Sequence, residues 1–354
     1  MSTVQSLSKS PLSGNHWNEL ASKVLCAEDI SRSDAVHILE SSDEELLDLL
    51  AATFQVRRHF FGTTVQLFFL MNAKSGLCPE DCSYCSQSKI SEAEIPRYNF
   101  LSEPQLLEGA RMAAERNSKT YCIVISARGP SERELEAVCR IVPKIKAQFN
   151  LNICACLGLL TPQQAQRLAA AGVDKVNHNL NTSRRHYANI CSTHTYDERV
   201  GTLEACRDAG LALCSGGIIG MGETHEDLVD MAMDLRSMHV ESIPVNFLNS
   251  IDGTPLQGTS QLNPRDCLRA LCMMRFVNPS SELRIAGGRE IHLRSMQALG
   301  FYAANSIFIG DYLTTKGQLP EEDYSMIRDL GFTLSTGLES GEPPTIAGLT
   351  PLEK

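Results

Sequence analysis

Apolar and polar positions change their period along the chain. Between residues 65 and 310, short apolar runs alternate with stretches whose apolar residues recur every three or four positions. The runs are VQLFFLMN (65–72), TYCIVIS (120–126), NICACL (152–157), KVNHNL (175–180), ALCSGGI (212–218), SIPVNFL (242–248), LRIAG (283–287) and NSIFIG (305–310). Most are short and rich in β-branched or aromatic residues, which predicts eight strands. Helix starts fall between them. Thr161 reads as an N-cap, Pro162 as the first helical residue and Gln164 as the partner in a capping box, with Gly172 as the stop. Ser131 with Glu134, and Thr195 with Glu198, repeat that spacing, and Asn263-Pro264 marks another start. Pro143 is expected to bend the helix before Phe149.

Eight β/α units predict an α/β fold, a (β/α)8 TIM-type barrel over residues 65–315. An open, doubly wound sheet would alternate in the same way. Upstream, AVHILE and DEELLDLLAATF carry apolar spacing near 3.6, so residues 16–64 are expected to form an N-terminal helical cap. Residues 316–354 are read as a C-terminal extension, with a helix over PEEDYSMIRDLG and a tail holding Pro343 and Pro344. Residues 1–15 are Ser-rich and are read as a disordered tail. A chain of 354 residues suits one barrel with extensions and needs no disulfide staples.

Composition narrows the class. Apolar residues make up 43% and charged residues 21%, as in ordinary globular proteins. Mean hydropathy is −0.14, and no apolar run approaches the roughly 20 residues of a membrane span. The N-terminus has no apolar signal core, so the expected compartment is the cytoplasm. A formal charge of −10 argues against binding nucleic acid through its phosphates. The 13 cysteines are odd in number. In a cytoplasmic chain they point to metal, catalysis or core packing rather than disulfides.

The strongest local signal is NAKSGLCPEDCSYCSQS. Cys78, Cys82 and Cys85 stand in a C-x3-C-x2-C array just after the first strand. Structural zinc usually takes four N or S ligands, and ferredoxin sites take four thiolates. Three thiolates on a cubane cluster leave one iron open to a substrate. The array resembles the radical S-adenosylmethionine superfamily. That resemblance implies a 4Fe–4S cluster whose open iron chelates S-adenosylmethionine, with Tyr84 beside the adenine. Gly216-x-Ile218-x-Gly220-x-x-Glu223 matches a second superfamily motif, which packs against the adenine. These glycines do not supply the G-x-G-x-x-G of a dinucleotide site.

Three further cysteines, Cys122, Cys154 and Cys214, lie in predicted strands two, three and five. Strand alternation puts Arg284 on one face with Ala286, and an inward Arg284 would need an anionic partner. Cys156 shares a face with Cys154, so parity leaves either as the candidate. The stretches CPEDCSYC, YCIVIS, CACLG, NHNLNTS, CSGGIIGMGET, IPVNF, LRIAGGRE and NSIFIGDYLTT together resemble the biotin synthase family. The resemblance covers most of residues 65–320. It implies a 2Fe–2S cluster held by Cys122, Cys154, Cys214 and Arg284, and its alignment favours Cys154 over Cys156. It also implies a sulfurtransferase that inserts sulfur from this cluster into dethiobiotin to give biotin. The implied partners are an electron donor such as flavodoxin or ferredoxin, and a second copy of the chain in a homodimer.

Asn177, Asn179 and Asn181 alternate and are expected to share one face, with His178 on the other. By resemblance, Asn177 and Asn246 contact dethiobiotin and Asn179 and Asn181 contact S-adenosylmethionine. Some family members carry Asp where this chain has Asn181. Cys156, Cys26, Cys139, Cys191, Cys206, Cys267 and Cys272 are read as structural or incidental. The rival readings are a radical mutase or lyase acting on another small molecule, an iron–sulfur electron carrier, and a zinc-binding structural protein.

Overall fold

The computed structural model describes residues 14–76 and 78–335. Three helices come first: α1 (Gly14–Leu25), α2 (Arg32–Glu40) and α3 (Leu46–Phe61). The barrel strands and their helices follow: β1 (Thr64–Lys74), α4 (Glu103–Glu115), β2 (Thr120–Ile125), α5 (Glu132–Gln148), β3 (Asn152–Cys156), α6 (Pro162–Ala170), β4 (Lys175–Asn177) and α7 (Tyr196–Asp208). The second half holds β5 (Ala212–Cys214), β6 (Gly217–Ile219), α8 (His225–Ser237), β7 (Ser242–Phe247), α9 (Pro264–Val277), β8 (Glu282–Ile285), α10 (Arg289–His292), α11 (Gln297–Gly300) and β9 (Ser306–Phe308). The chain then forms α12 (Pro320–Asp329) and β10 (Thr333–Leu334).

All pairings between these strands are parallel, and β9 pairs with β1, so the sheet closes. The closed barrel decides against the open sheet. The expected caps form as read: Ser131, Thr161 and Thr195 each complete a capping box, and Pro143 lies inside α5. Two features differ from the sequence reading. The fifth run is two strands, because Ser215 and Gly216 interrupt it and only β6 continues along β7. After α12 the chain adds β10 beside Thr64 and Val65 of β1. Helix α1 begins at Gly14, inside the segment read as a tail; residues 1–13 and 336–354 lie outside the described residues.

The helical layer is fastened by buried cations. α2 and α3 pack against α9. Arg57 of α3 is fully buried and donates to the carbonyls of Gly62, Thr64 and Ala304. Arg275 of α9 donates to the carbonyls of Asn278, Pro279, Ser281 and Ala303 and to Oδ1 of Asn305. These carbonyls, at strand and helix ends, give the buried guanidinium N–H groups the acceptors they need. No helix among the described residues is long and apolar enough to cross a membrane.

Three cysteines pack in this core. Cys206, Cys267 and Cys272 are fully buried, and burial pushes each thiol up to about 12 from 9.0. The fold holds these protons more tightly than the unfolded chain does. Their contribution to stability is complete below about pH 9 and is lost as the pH rises to about 12. Urea midpoints of the metal-free protein are expected to fall across that window. Replacing Cys206 and Cys272 by Ala should flatten the fall. An unchanged slope in that variant would show that other groups cause it.

Candidate active site in the barrel lumen

Strand register brings the lumen cysteines together. Cys122 lies directly opposite Cys154, and Asn177 opposite Cys214. Cys122, Cys154 and Cys214 form a buried cluster of their own with Phe68, flanked by Leu70, Val124 and Phe308. Neighbouring sulfur dominates the protonation of Cys154 and Cys214. The hydrogen bond with Cys122 raises Cys154 well above the usual thiol value, and the hydrogen bond with Cys154, followed by burial, does the same to Cys214. Cys156 also faces the lumen but pairs with Val124, one step toward the mouth. Burial pushes its thiol up to about 12.

Arg284 enters the same space. It is 1% exposed, and its guanidinium lies 3.3 Å from the centre of the Phe68 ring. Nη1 donates to Cys214 Sγ at 3.8 Å, and Nε has no partner among the described residues. Burial opposes its charge, but Glu282 and then the thiols Cys214 and Cys122 outweigh burial and raise its pKa.

A cavity of about 390 Å³ runs from this floor to the loop after β1. Cys78, Tyr84 and Cys85 line its mouth; Asn177, His178, Asn179, Asn181, Ile218 and Asn246 line its wall. Asn177 Nδ2 donates to Asn179 Oδ1 at 3.0 Å and to Cys214 Sγ at 3.3 Å. Asn181 Nδ2 donates to the Tyr84 hydroxyl at 2.6 Å. Asn246 bridges neighbouring strands, donating to the Gly217 carbonyl and accepting from the Gly287 N–H. The three strand-four amides thus meet one cavity, but not through alternation. β4 ends at Asn177, and Asn181 sits at a left-handed φ of 71°. His178 correspondingly lines the cavity rather than facing away, with Nε2 unpartnered among the described residues and its pKa lowered by burial.

Other expected residues stand apart. Gly216 is pressed against β7: a Cβ there would lie 1.9 Å from the Pro244 carbonyl oxygen. Glu223 accepts from the N–H groups of Gly220 and Met221, so its carboxylate closes its own turn outside the cavity. Cys82 does not line the cavity. Its thiol donates to Cys191 Sγ at 3.7 Å.

That contact joins Cys191, read as structural, to residues the sequence reading passed over. Cys191 lies 3.2 Å from His194 Nδ1 and 3.3 Å from Asp81 Oδ1. The hydrogen bond from Cys82 lowers the Cys191 thiol to about 4 against the opposing effect of burial. His194 Nε2 accepts from Arg199, which leaves Nδ1–H to donate to Glu80 at 2.5 Å. A basket of side chains therefore grips the loop between Cys78 and Cys82. No spacing in the sequence links residues 80–82 to 191–199. Glu282, by contrast, stands two residues before Arg284, so strand parity was a usable signal.

The donor chemistry fits two iron–sulfur groups. The floor offers three thiols, which are soft ligands, and a guanidinium edge whose Nη1 reaches only sulfur and whose Nε has no partner among the described residues. The loop after β1 offers three more cysteines, of which Cys82 is turned to Cys191 rather than to the cavity; three thiolates from that loop would suit a cluster with one open iron.

Comparison with known proteins bears on the family and the fold. A model of the radical SAM superfamily matches residues 74–235, and one of the Biotin and Thiamin Synthesis associated domain matches residues 244–333. A biotin synthase of Rhodopirellula baltica is 60% identical over 324 residues, 92% of this chain and 90% of the relative. One of Bacillus subtilis is 54% identical over 322 residues, 91% of this chain and 96% of the relative. Among solved structures, methylornithine synthase matches with a TM-score of 0.79 at 18% identity, covering 89% of this chain and 97% of that one. The hydrogenase maturase HydG of Carboxydothermus hydrogenoformans matches with a TM-score of 0.77 at 17% identity, covering 91% and 80%. These two share the fold. With a closed barrel, thiols at both the mouth and the floor of one cavity, and relatives more than half identical over nine-tenths of its length, the chain belongs to the biotin synthase family.

Proposed function

We propose that this chain converts dethiobiotin to biotin, with Cys78, Cys82 and Cys85 holding a 4Fe–4S cluster and Cys122, Cys154, Cys214 and Arg284 holding a 2Fe–2S cluster. The observation that carries the reading is one cavity with Cys78 and Cys85 at its mouth and the other set at its floor. When bound, the first cluster and S-adenosylmethionine supply a hydrogen-abstracting 5′-deoxyadenosyl radical, and the second cluster supplies the sulfur.

The protein's own part is placement and exclusion of water. Tyr84, Ile218, Asn179 and Asn181 border the upper cavity and are the proposed contacts of S-adenosylmethionine. Gly216 and Glu223 act on that site by shaping the turn behind Ile218. Asn177 and Asn246 are the proposed contacts of the ureido ring, since an amide can donate and accept at one site. Leu70, Val124 and Phe308 give the lumen an apolar wall that suits an aliphatic chain. A closed barrel keeps a primary radical from solvent. On this reading residues 65–315 are the catalytic barrel, 16–64 its cap and 316–354 an extension. The reading extends to a cytoplasmic homodimer that takes electrons from a flavodoxin or ferredoxin.

One anaerobic turnover tests it. Reconstituted protein, reductant, S-adenosylmethionine and dethiobiotin are expected to give biotin and 5′-deoxyadenosine by mass spectrometry. Deoxyadenosine without biotin, from protein holding both clusters, would overturn the substrate.

A further inference from the structure

We infer that Glu282 is a positioning residue for Arg284, setting which guanidinium nitrogens face the three thiols at the barrel floor. The inference rests on the reading that Arg284 and those thiols hold the second cluster.

Glu282 opens β8, and Arg284 follows two residues later on the same face. Both are buried. Glu282 Oε1 accepts from Arg284 Nη2 at 2.7 Å and from the Ser306 hydroxyl. Its Oε2 accepts from the Ser242 hydroxyl at 3.0 Å, and Lys175 Nζ lies 3.8 Å away. Arg284 Nη2 also donates to Ser242 Oγ at 2.7 Å. Every oxygen partner of the guanidinium is therefore on one corner, Nη2. The remaining edge is the unpartnered Nε and the Nη1 that reaches Cys214. Phe68 and Phe308, 3.3 and 4.9 Å from Cζ, hold the plane.

An arginine side chain has several rotatable bonds, and its fork can present different nitrogens to one point. The carboxylate removes that choice. It anchors Nη2 and leaves the other edge aimed at sulfur. It also stands between two cations, Arg284 and Lys175, and burial works against its charge until both offset it. A buried ion pair is a poor stabiliser compared with apolar packing. A buried N–H left without a partner is a further cost. The arrangement makes sense as a support for whatever occupies the space above Cys214.

The test uses the full chain, reconstituted with iron and sulfide, as wild type, Glu282→Gln, Glu282→Ala and Arg284→Ala. The readouts are the resonance Raman spectrum of the second cluster and its rate of loss to a chelator. Arg284→Ala is expected to change the spectrum. Glu282→Ala should reproduce that change and speed loss of the second cluster roughly 10–100-fold, as expected when a group supporting a ligand is removed. Glu282→Gln keeps an oxygen for Nη2 and should fall between. If Arg284→Ala alters the spectrum while both Glu282 variants keep the wild-type spectrum and rate, the positioning role is overturned. If Arg284→Ala changes nothing, the underlying reading fails instead. Loss of both clusters together in both Glu282 variants would make the residue one of folding alone and would also overturn the role.

Discussion

Cys154→Ser is expected to abolish the second cluster and with it biotin formation, while Cys156→Ser keeps both. The two thiols sit two residues apart on β3 and both face the cavity. What separates them is their height in the barrel. Cys154 is opposite Cys122 and has sulfur neighbours in both Cys122 and Cys214. Cys156 is opposite Val124, and its thiol is shifted chiefly by burial and only then by the Cys214 thiol. Three sulfurs that already touch can close on one metal group without moving a strand, and Cys156 is not one of them. Removing a ligand should cost more than the 10–100-fold typical of removing a group that supports one. Biotin formation should therefore drop by more than about 100-fold in Cys154→Ser. Cys156→Ser should stay within about threefold of wild type, since it changes only one atom on the cavity wall. Iron and sulfide per chain, measured beside biotin formed, decide it. The reverse pattern would move the second cluster one layer toward the mouth.

The case of these two cysteines shows how far the sequence could be read. Period-two alternation places Cys154 and Cys156 on one face, but it cannot give the register against a neighbouring strand. Register comes from the closed barrel, and only then does Cys122 select Cys154. Alternation also fails where a strand is short. β4 has three residues, so Asn179, Asn181 and His178 reach the cavity by loop geometry that no periodicity describes. A two-residue strand such as β10 is below the reach of any pattern. The β/α succession, the capping boxes and the cysteine array were legible because each is a local signal. The Cys82–Cys191–His194 contact was not, because it joins segments more than 100 residues apart. Glu282 lies between these cases. Its spacing from Arg284 was visible, but the reason for a buried acid appears only with Ser242, Ser306 and Lys175 around it.

Gly216→Ala is expected to destabilise the protein even with no cluster or cofactor bound, by about 3 kcal/mol or more. In the superfamily motif this glycine is associated with the adenine. The structure gives it a second duty. The chain leaves β5 at Cys214 beside β7, breaks the strand at Ser215 and Gly216, and resumes along β7 as β6. At this break the Gly216 Cα approaches β7 so closely that a methyl group would sit 1.9 Å from the Pro244 oxygen and 2.8 Å from its carbon. The obstacle is backbone, so no rotamer change relieves it. Gly216 also donates to Asn179 Oδ1 and accepts from the Asn181 N–H, so a shift there drags the amide wall with it. Cys214, two residues back, would move relative to Cys154. Gly201→Ala is the control. It lies on α7 with nothing within 4 Å of the added methyl, and alanine there should stabilise by about 0.5–1 kcal/mol. Urea denaturation of the metal-free variants separates the two duties. A Gly216→Ala protein as stable as wild type, but weak in binding S-adenosylmethionine, would assign this glycine to the cofactor alone. A large loss of stability before any cofactor is added would show that the close approach to β7 is what demands glycine at this position.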